Sequence, residues 1–288
     1  MGREIDKKGP AARIGMVNFI NTAPLYEVWQ LTVNRPEWRV IEAPPSTLNR
    51  MLQHCELDMA LVSSYEYGCR PDIYRVLKGV SISATGRVGS VFLFSHRDPD
   101  QLTGKKVLLS PHSATSAALV KIILEDLYQA RPRYETGIVT GPGKEGVDFR
   151  LEGAEAVLAI GDNALRLLEK KIFPVQLDLG KVWQDFTGFP FVFALFVVRE
   201  DFCRRRDRVV REIQSEFVRC RKEGKRDLKD ISRKVAPRIP MTEKDCYSYL
   251  SSIEHDLGDD KIGGLTRFFD FLIRRGDIPP EALPVKFI

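Results

Sequence analysis

Short polar turns at the ends of apolar runs carry the residues best suited to chemistry in this 288-residue sequence. One of them, Ser110-Pro-His-Ser-Ala-Thr-Ser, offers hydroxyls at Ser113, Thr115 and Ser116 around Ala114, immediately before an amphipathic run. At a helix start, hydroxyls of this kind join unpaired backbone N–H groups and the positive end of the helix dipole, a combination that binds carboxylate or phosphate. A single such residue satisfies a cap, and three exceed that need, so anion binding is the expectation. Asn21 ends another apolar run ahead of Pro24, where its amide either caps a helix or projects into a cleft. Ser63 and Ser64 carry the same two readings, and Ser90 is either a site hydroxyl or a small residue in a packed strand. Asp162, in Ile160-Gly-Asp-Asn-Ala-Leu, reads as a helix cap before it reads as catalytic.

Several chemistries are missing. There is no GxGxxG turn, no Walker loop and no HExxH pair. Thr140-Gly-Pro-Gly-Lys-Glu-Gly lacks the terminal Lys-Ser/Thr and reads as a loop. His54, His96, His112 and His255 lack ligand spacing, and His112 alone falls in a candidate turn. Glu66 adjoins the Ser63-Ser64 turn, where a surface or ion-pair role is expected. No metal and no organic cofactor is expected.

The elements that must position these turns alternate. Arg13 to Ile20, Trp38 to Ala43 and Leu57 to Val62 read as strands, separated by helices starting near Pro24 and Ser46. A β–α–β–α–β opening predicts a mostly parallel sheet flanked by helices, with functional groups at the strands' carboxyl ends. Val88 to Ser95 is a continuous apolar strand, long enough to pass into a second lobe. The pattern then restarts with a strand from Lys106, a helix over Ala117 to Tyr128, a strand from Ala156 and a helix to Lys171. Val175 to Leu179 and Phe191 to Arg199 are expected to complete the second lobe, and the chain beyond Asp201 reads as helical. The expected organisation is therefore an α/β protein of two lobes, 1–94 with 199–288 and 95–198, crossed near Phe94 and Val198. Double crossovers of this kind form a hinge and a cleft, where small ligands bind.

Composition narrows the class. The 44 Lys and Arg against 39 Asp and Glu give a mild +5, concentrated between Arg204 and Arg238. Acidic residues break that run, so a solvated helix face is expected rather than a nucleic-acid surface. Five widely spaced cysteines without a CxxC pair fit reduced thiols. The N-terminal residues contain no secretory apolar stretch, and no run approaches the ~18 apolar residues of a membrane span. A cytoplasmic protein with a small-molecule partner is expected, with no nucleic-acid or membrane partner, as monomer or homodimer.

The run Arg13-Ile-Gly-Met-Val-Asn-Phe-Ile-Asn-Thr-Ala-Pro-Leu-Tyr resembles the opening of the chorismate dehydratases of the futalosine route to menaquinone. Leu57 to Tyr67, Gly86-Arg-Val-Gly-Ser-Val, Ile160 to Leu165 and Asp178 to Ala194 agree as well. The segment Thr187-Gly-Phe-Pro-Phe-Val-Phe-Ala separates this family from its sister, the 1,4-dihydroxy-6-naphthoate synthases, which share the fold. The resemblance implies a type II periplasmic-binding-protein-like fold and loss of water from chorismate to give 3-[(1-carboxyvinyl)oxy]benzoate. It implies a functional role for Asn21, with Ser63, Ser64, Ser90, Ser113, Ala114, Thr115, Ser116, Asp162, Gly188 and Pro190 as substrate-binding positions. The competing expectations are a non-catalytic small-anion-binding protein, the related 1,4-dihydroxy-6-naphthoate synthase and the effector lobes of a transcription regulator.

Overall fold

The computed structural model describes residues 9–111, 113–137, 153–239 and 241–288. His112, the glycine-rich run from Thr140 to Gly146, Pro240 and most of the N-terminal tail fall outside them. Along the chain come β1 (Ala12–Met16), α1 (Ala23–Thr32), β2 (Trp38–Glu42), α2 (Pro45–Gln53), β3 (Met59–Ser63), α3 (Ser64–Cys69) and β4 (Tyr74–Ala84). The middle of the chain supplies β5 (Val91–Ser95), β6 (Lys106–Leu109), α4 (Ala114–Ile122), β7 (Arg133–Thr136), β8 (Ala156–Ile160), α5 (Gly161–Lys170), β9 (Val175–Asp178) and α6 (Leu179–Thr187). Then follow β10 (Phe191–Arg199), α7 (Glu200–Arg205), α8 (Asp207–Arg226), α9 (Leu228–Val235), α10 (Glu243–Ser252) and α11 (Asp259–Arg274).

Two five-stranded sheets result, ordered β2-β1-β3-β10-β4 and β7-β6-β8-β5-β9. In the first, β1 and β3 run parallel (Ile14 beside Met59) while β10 runs antiparallel to both β3 and β4. In the second, β6 is parallel to β7 and β8, and β5 is antiparallel to β8 and β9. Both sheets are thus mixed, because the strand beside each crossing re-enters against its neighbours. Strands covered by helices on both faces need unbroken apolar runs. Accordingly Met59, Ala60, Leu195, Val197, Leu93 and Leu158 are all fully buried.

Three sequence expectations change. Phe191–Arg199 belongs to the first sheet, with Ala194 beside Ser63 and Phe191 beside Ala84, rather than completing the second. An apolar strand reads alike for either sheet, and the direction of the preceding crossing decides which one it joins. The crossings accordingly lie at 85–90 and 188–190, not near Phe94 and Val198. The helix expected from Ala117 begins at Ala114, and its last turn over Ile123–Leu127 is π-helical. The basic stretch does form solvated helices, with Arg204, Arg208, Arg211 and Arg219 paired to acids three or four residues away.

The C-terminal helices hold the site-bearing segments. On α8, a β-carbon at Gly224 would stand 1.5 Å from the Pro24 carbonyl oxygen, so only glycine lets α1 lie this close. Trp29 of α1 stacks on Phe217 at 4.3 Å. Glu27, 2% exposed, pairs with Lys234 at 2.6 Å and Arg238 at 2.5 Å, tying α1 to α9 and the turn that follows it. Burial alone would raise its pKa, but the hydrogen bonds from Lys234 and Arg238 outweigh that and hold it below the usual value. A lowered carboxylate pKa stabilises the fold above the unfolded pKa, and that contribution disappears as pH falls through the folded pKa. Glu27→Gln should therefore lower stability at neutral pH by about 2 kcal/mol, below a fully buried pair because both cations stay half exposed. Urea titrations at pH 7 and pH 3 check this, with the difference between the two proteins shrinking at the lower pH.

Candidate active site

The register places every candidate turn along two facing edges. β1 and β3 end side by side, so Asn21 and Ser63 follow from one edge of the first sheet. β4 leaves that edge and β10 enters it, since Ala84 stands beside Phe191. In the second sheet β6 and β8 end together, delivering α4 and α5, and β5 begins there with Val91 beside Ile160. The two crossings join these edges. Two surface pockets of about 490 and 380 Å³, lined by Asp72, Arg199 and Arg204 and by Arg13, Asp58 and Arg206, lie at the opposite edge of the first sheet. Neither includes a candidate site residue.

Asn21 sits in a single 3-10 turn, Ile20–Thr22, that caps neither itself nor α1 through a side chain. Its Oδ1 is buried and has no hydrogen-bond partner among the described residues. Its main-chain carbonyl lies 2.7 Å from Nε2 of His255. That carbonyl can only accept, so Nε2 carries the proton. Burial lowers the His255 pKa, which keeps the imidazole neutral. His255 is itself pinned, for Ser81 N–H donates to its carbonyl at 3.0 Å and the neighbouring Glu254 pairs with Lys261 at 2.5 Å.

The hydroxyls divide into spent and available. Ser63 caps α3, accepting from Glu66 N–H at 3.2 Å, and Ser64 gives its proton to the Val192 carbonyl at 2.6 Å. Ser113 caps α4, accepting from Ser116 N–H at 3.1 Å while donating to Ser116 Oγ at 2.8 Å. Thr115, 1% exposed, accepts the Tyr65 N–H at 2.9 Å, which joins the start of α4 to the start of α3 across the cleft. The hydroxyl protons of Thr115 and Ser116 have no acceptor among the described residues. Ser90, 2% exposed, accepts from the Tyr249 phenol at 3.0 Å, and its carbonyl takes the Gly161 N–H at 2.7 Å. Asp162 stands in the first turn of α5 without capping it, and partial desolvation raises its pKa against the pull of Arg166.

Gly188 ends α6 in a left-handed conformation (φ 77°) with open space around it. Pro190 is buried, its carbonyl accepting from Trp183 Nε1 at 3.3 Å and lying 2.1 Å from where a Gly264 β-carbon would stand. No hydrogen bond joins Gly188, Pro190 or Asn21 to the Ser113–Ser116 turn among the described residues. Glu66 is enclosed by Asn49, Gln53, Arg70 and Tyr74, which matches its expected ion-pair role. His255 and Tyr249 were invisible to spacing rules, because they meet Asn21 and Ser90 from 234 and 159 positions away.

Asp178 fastens the first crossing. Its buried carboxylate accepts N–H groups from Val88 at 3.1 Å, Gly89 at 2.8 Å and Lys181 at 3.1 Å. Charged acceptors of this kind are worth roughly twice neutral ones.

These features define a two-lobed α/β protein with the periplasmic-binding-protein fold. Solved structures agree on the fold. Protein AF1704 from Archaeoglobus fulgidus superposes with a TM-score of 0.68 at 17% identity, covering 93% of this chain and 98% of that one. SsuA, the periplasmic aliphatic sulphonate binding protein of Escherichia coli, gives 0.63 at 14% identity, covering 95% of each chain. The sequence itself is more specific: residues 12–273 match the menaquinone biosynthesis family, and the chain belongs to it. It is 30% identical to the chorismate dehydratase of Thermus thermophilus over 90% of this chain and 94% of that protein. The chorismate dehydratase of Campylobacter jejuni is 29% identical over 63% of this chain and 65% of its own length.

Asp178→Asn should cost about 2 kcal/mol of stability, since one oxygen becomes a donor facing N–H groups. Hydrogen exchange should quicken first at the Val88 and Gly89 amides; unchanged protection there would remove Asp178 as the anchor.

Proposed function

We propose that this protein is a chorismate dehydratase of the futalosine route to menaquinone, acting in the cytoplasm. The observation that carries the reading is the 30% identity to a chorismate dehydratase along nearly the whole of both chains. The cytoplasmic assignment draws support from five free cysteines. Among the described residues no helix is long and apolar enough to cross a membrane.

Chorismate carries two carboxylates, and the reaction removes its C3 hydrogen and C4 hydroxyl as water. The ring becomes aromatic, so the reaction runs downhill. The difficulty is kinetic, because the C3–H bond is a weak acid. Its electron pair delocalises through C2=C1 into the ring carboxylate and then expels hydroxide from C4. Donors at that carboxylate lower the barrier by stabilising the charge that develops there. The Thr115 and Ser116 hydroxyls at the start of α4 are neutral donors of the required kind. Arg87, exposed on the first crossing and without an ion pair among the described residues, adds a positive charge for the dianion.

Asn21 is suited to orient the substrate and the departing hydroxyl, since its buried amide oxygen lacks a partner among the described residues. An amide is no base at neutral pH, and the His255 Nε2 proton is held by the Asn21 carbonyl. The resemblance to the chorismate dehydratases implies that the substrate's own enolpyruvyl carboxylate takes the proton from C3. Closure of the two edges excludes water and fixes that conformer. Because Thr115 and Ser90 are buried, the edges must part to admit substrate, with the crossings as the hinge.

Incubating the purified protein with chorismate should yield a product lighter by one water. Binding without product would mark a solute-binding protein instead. Asn21→Ala should lower kcat by about a hundredfold or more with a smaller change in KM, and near-normal turnover would remove its role. Thr115→Val should mainly raise KM. Asn21→Asp should bind chorismate more weakly than Asn21→Ala, because it adds a third negative charge to the complex.

A further inference from the structure

Tyr249, on α10, reaches the cleft from the C-terminal part of the chain. Its hydroxyl lies 3.0 Å from Ser90 Oγ and has no other hydrogen-bond partner among the described residues. The ring is 6% exposed and packs against Gly89, whose β-carbon would stand 3.4 Å from it. Two hydroxyls in contact can share a hydrogen bond in either direction, but a phenol is a stronger donor and a weaker acceptor than an aliphatic hydroxyl. Burial also pushes the Tyr249 pKa up, so the phenol keeps its proton at all working pH values. The bond therefore runs from Tyr249 to Ser90.

That direction has a consequence for Ser90. One lone pair of its Oγ is filled, and its own proton finds no acceptor among the described residues. Ser90 stands at the start of β5, where its carbonyl receives the Gly161 N–H at the head of α5. We infer that Tyr249 is a positioning residue that holds Ser90 Oγ as an acceptor and so turns the Ser90 proton toward an acceptor oxygen of the substrate. Such an acceptor is either a carboxylate oxygen or the departing C4 hydroxyl oxygen. The inference rests on the chorismate dehydratase reading for the identity of the substrate, though not for the direction of the bond.

Tyr249→Phe removes the phenol oxygen and keeps the ring on Gly89. Measured with Ser90→Ala and the double variant, it forms a cycle that isolates the contact. We expect Tyr249→Phe to keep its melting temperature within a few degrees and to lose about tenfold in kcat/KM. Ser90→Ala should lose at least as much, and the double variant no more than Ser90→Ala alone. A loss carried by KM assigns the Ser90 proton to a carboxylate, and one carried by kcat assigns it to the departing oxygen. Normal kcat/KM in Tyr249→Phe, or losses that multiply in the double variant, would overturn the inference. Absence of turnover in the unmodified protein would instead overturn the dehydratase reading. The same cycle read as chorismate dissociation constants then still decides the coupling of Tyr249 to Ser90.

Discussion

Both passages of the chain between the sheets use the same pair of edges, and that constraint dictates where the polar groups of the cleft can stand. β4 and β10 meet the first sheet where β1 and β3 end, and β5 starts in the second sheet where β8 ends. Helix starts, strand-end turns and both crossings are thereby gathered in one place. The apolar strands behind them are buried on both faces, so the turns are where polar side chains can gather without stranding in the core. The Asp178 carboxylate and the Tyr65–Thr115 bond then tie the two edges together.

The chemistry of the cleft follows from charge. A substrate with two carboxylates brings two negative charges into a water-poor space. A protein carboxylate placed as base would add a third, and a like pair about 4 Å apart at an effective dielectric near 20 repels by about 4 kcal/mol. Neutral hydroxyls, an amide and helix N-termini carry no such penalty and still stabilise charge as it shifts through the ring. Among the described residues this accounts for candidate positions rich in serine and threonine with an asparagine, and with the His255 imidazole kept neutral. It also favours a proton acceptor carried by the substrate.

Much of the first half of the site was legible in the sequence because its logic is local. Asn21, Ser63 and the Ser113–Ser116 turn each follow a strand-like run and precede a helix, and a strand end in an α/β protein is where function gathers. What those residues do with their protons was not legible. Ser63 and Ser113 are caps bonded to residues three positions on, one of the two readings open from sequence, whereas Ser64 is committed to the Val192 carbonyl, a partner that only the fold supplies. The sheet membership of Phe191–Arg199 was misread because an apolar strand says nothing about its neighbours. β4 gives no strand signal in the sequence, since Arg75, Lys78 and Gly79 interrupt its apolar residues. His255 and Tyr249 had no local signal at all, as each acquires meaning only when the C-terminal helices fold back onto the first sheet.

The most direct test of the central claim is a crystal structure with 3-[(1-carboxyvinyl)oxy]benzoate bound. The account predicts the product between the two edges, one carboxylate within hydrogen-bond distance of Thr115 or Ser116 and the Asn21 side chain facing the ring. Product seated in the arginine-lined pockets at the far edge of the first sheet, with the Asn21 amide turned away and the cleft vacant, would contradict it.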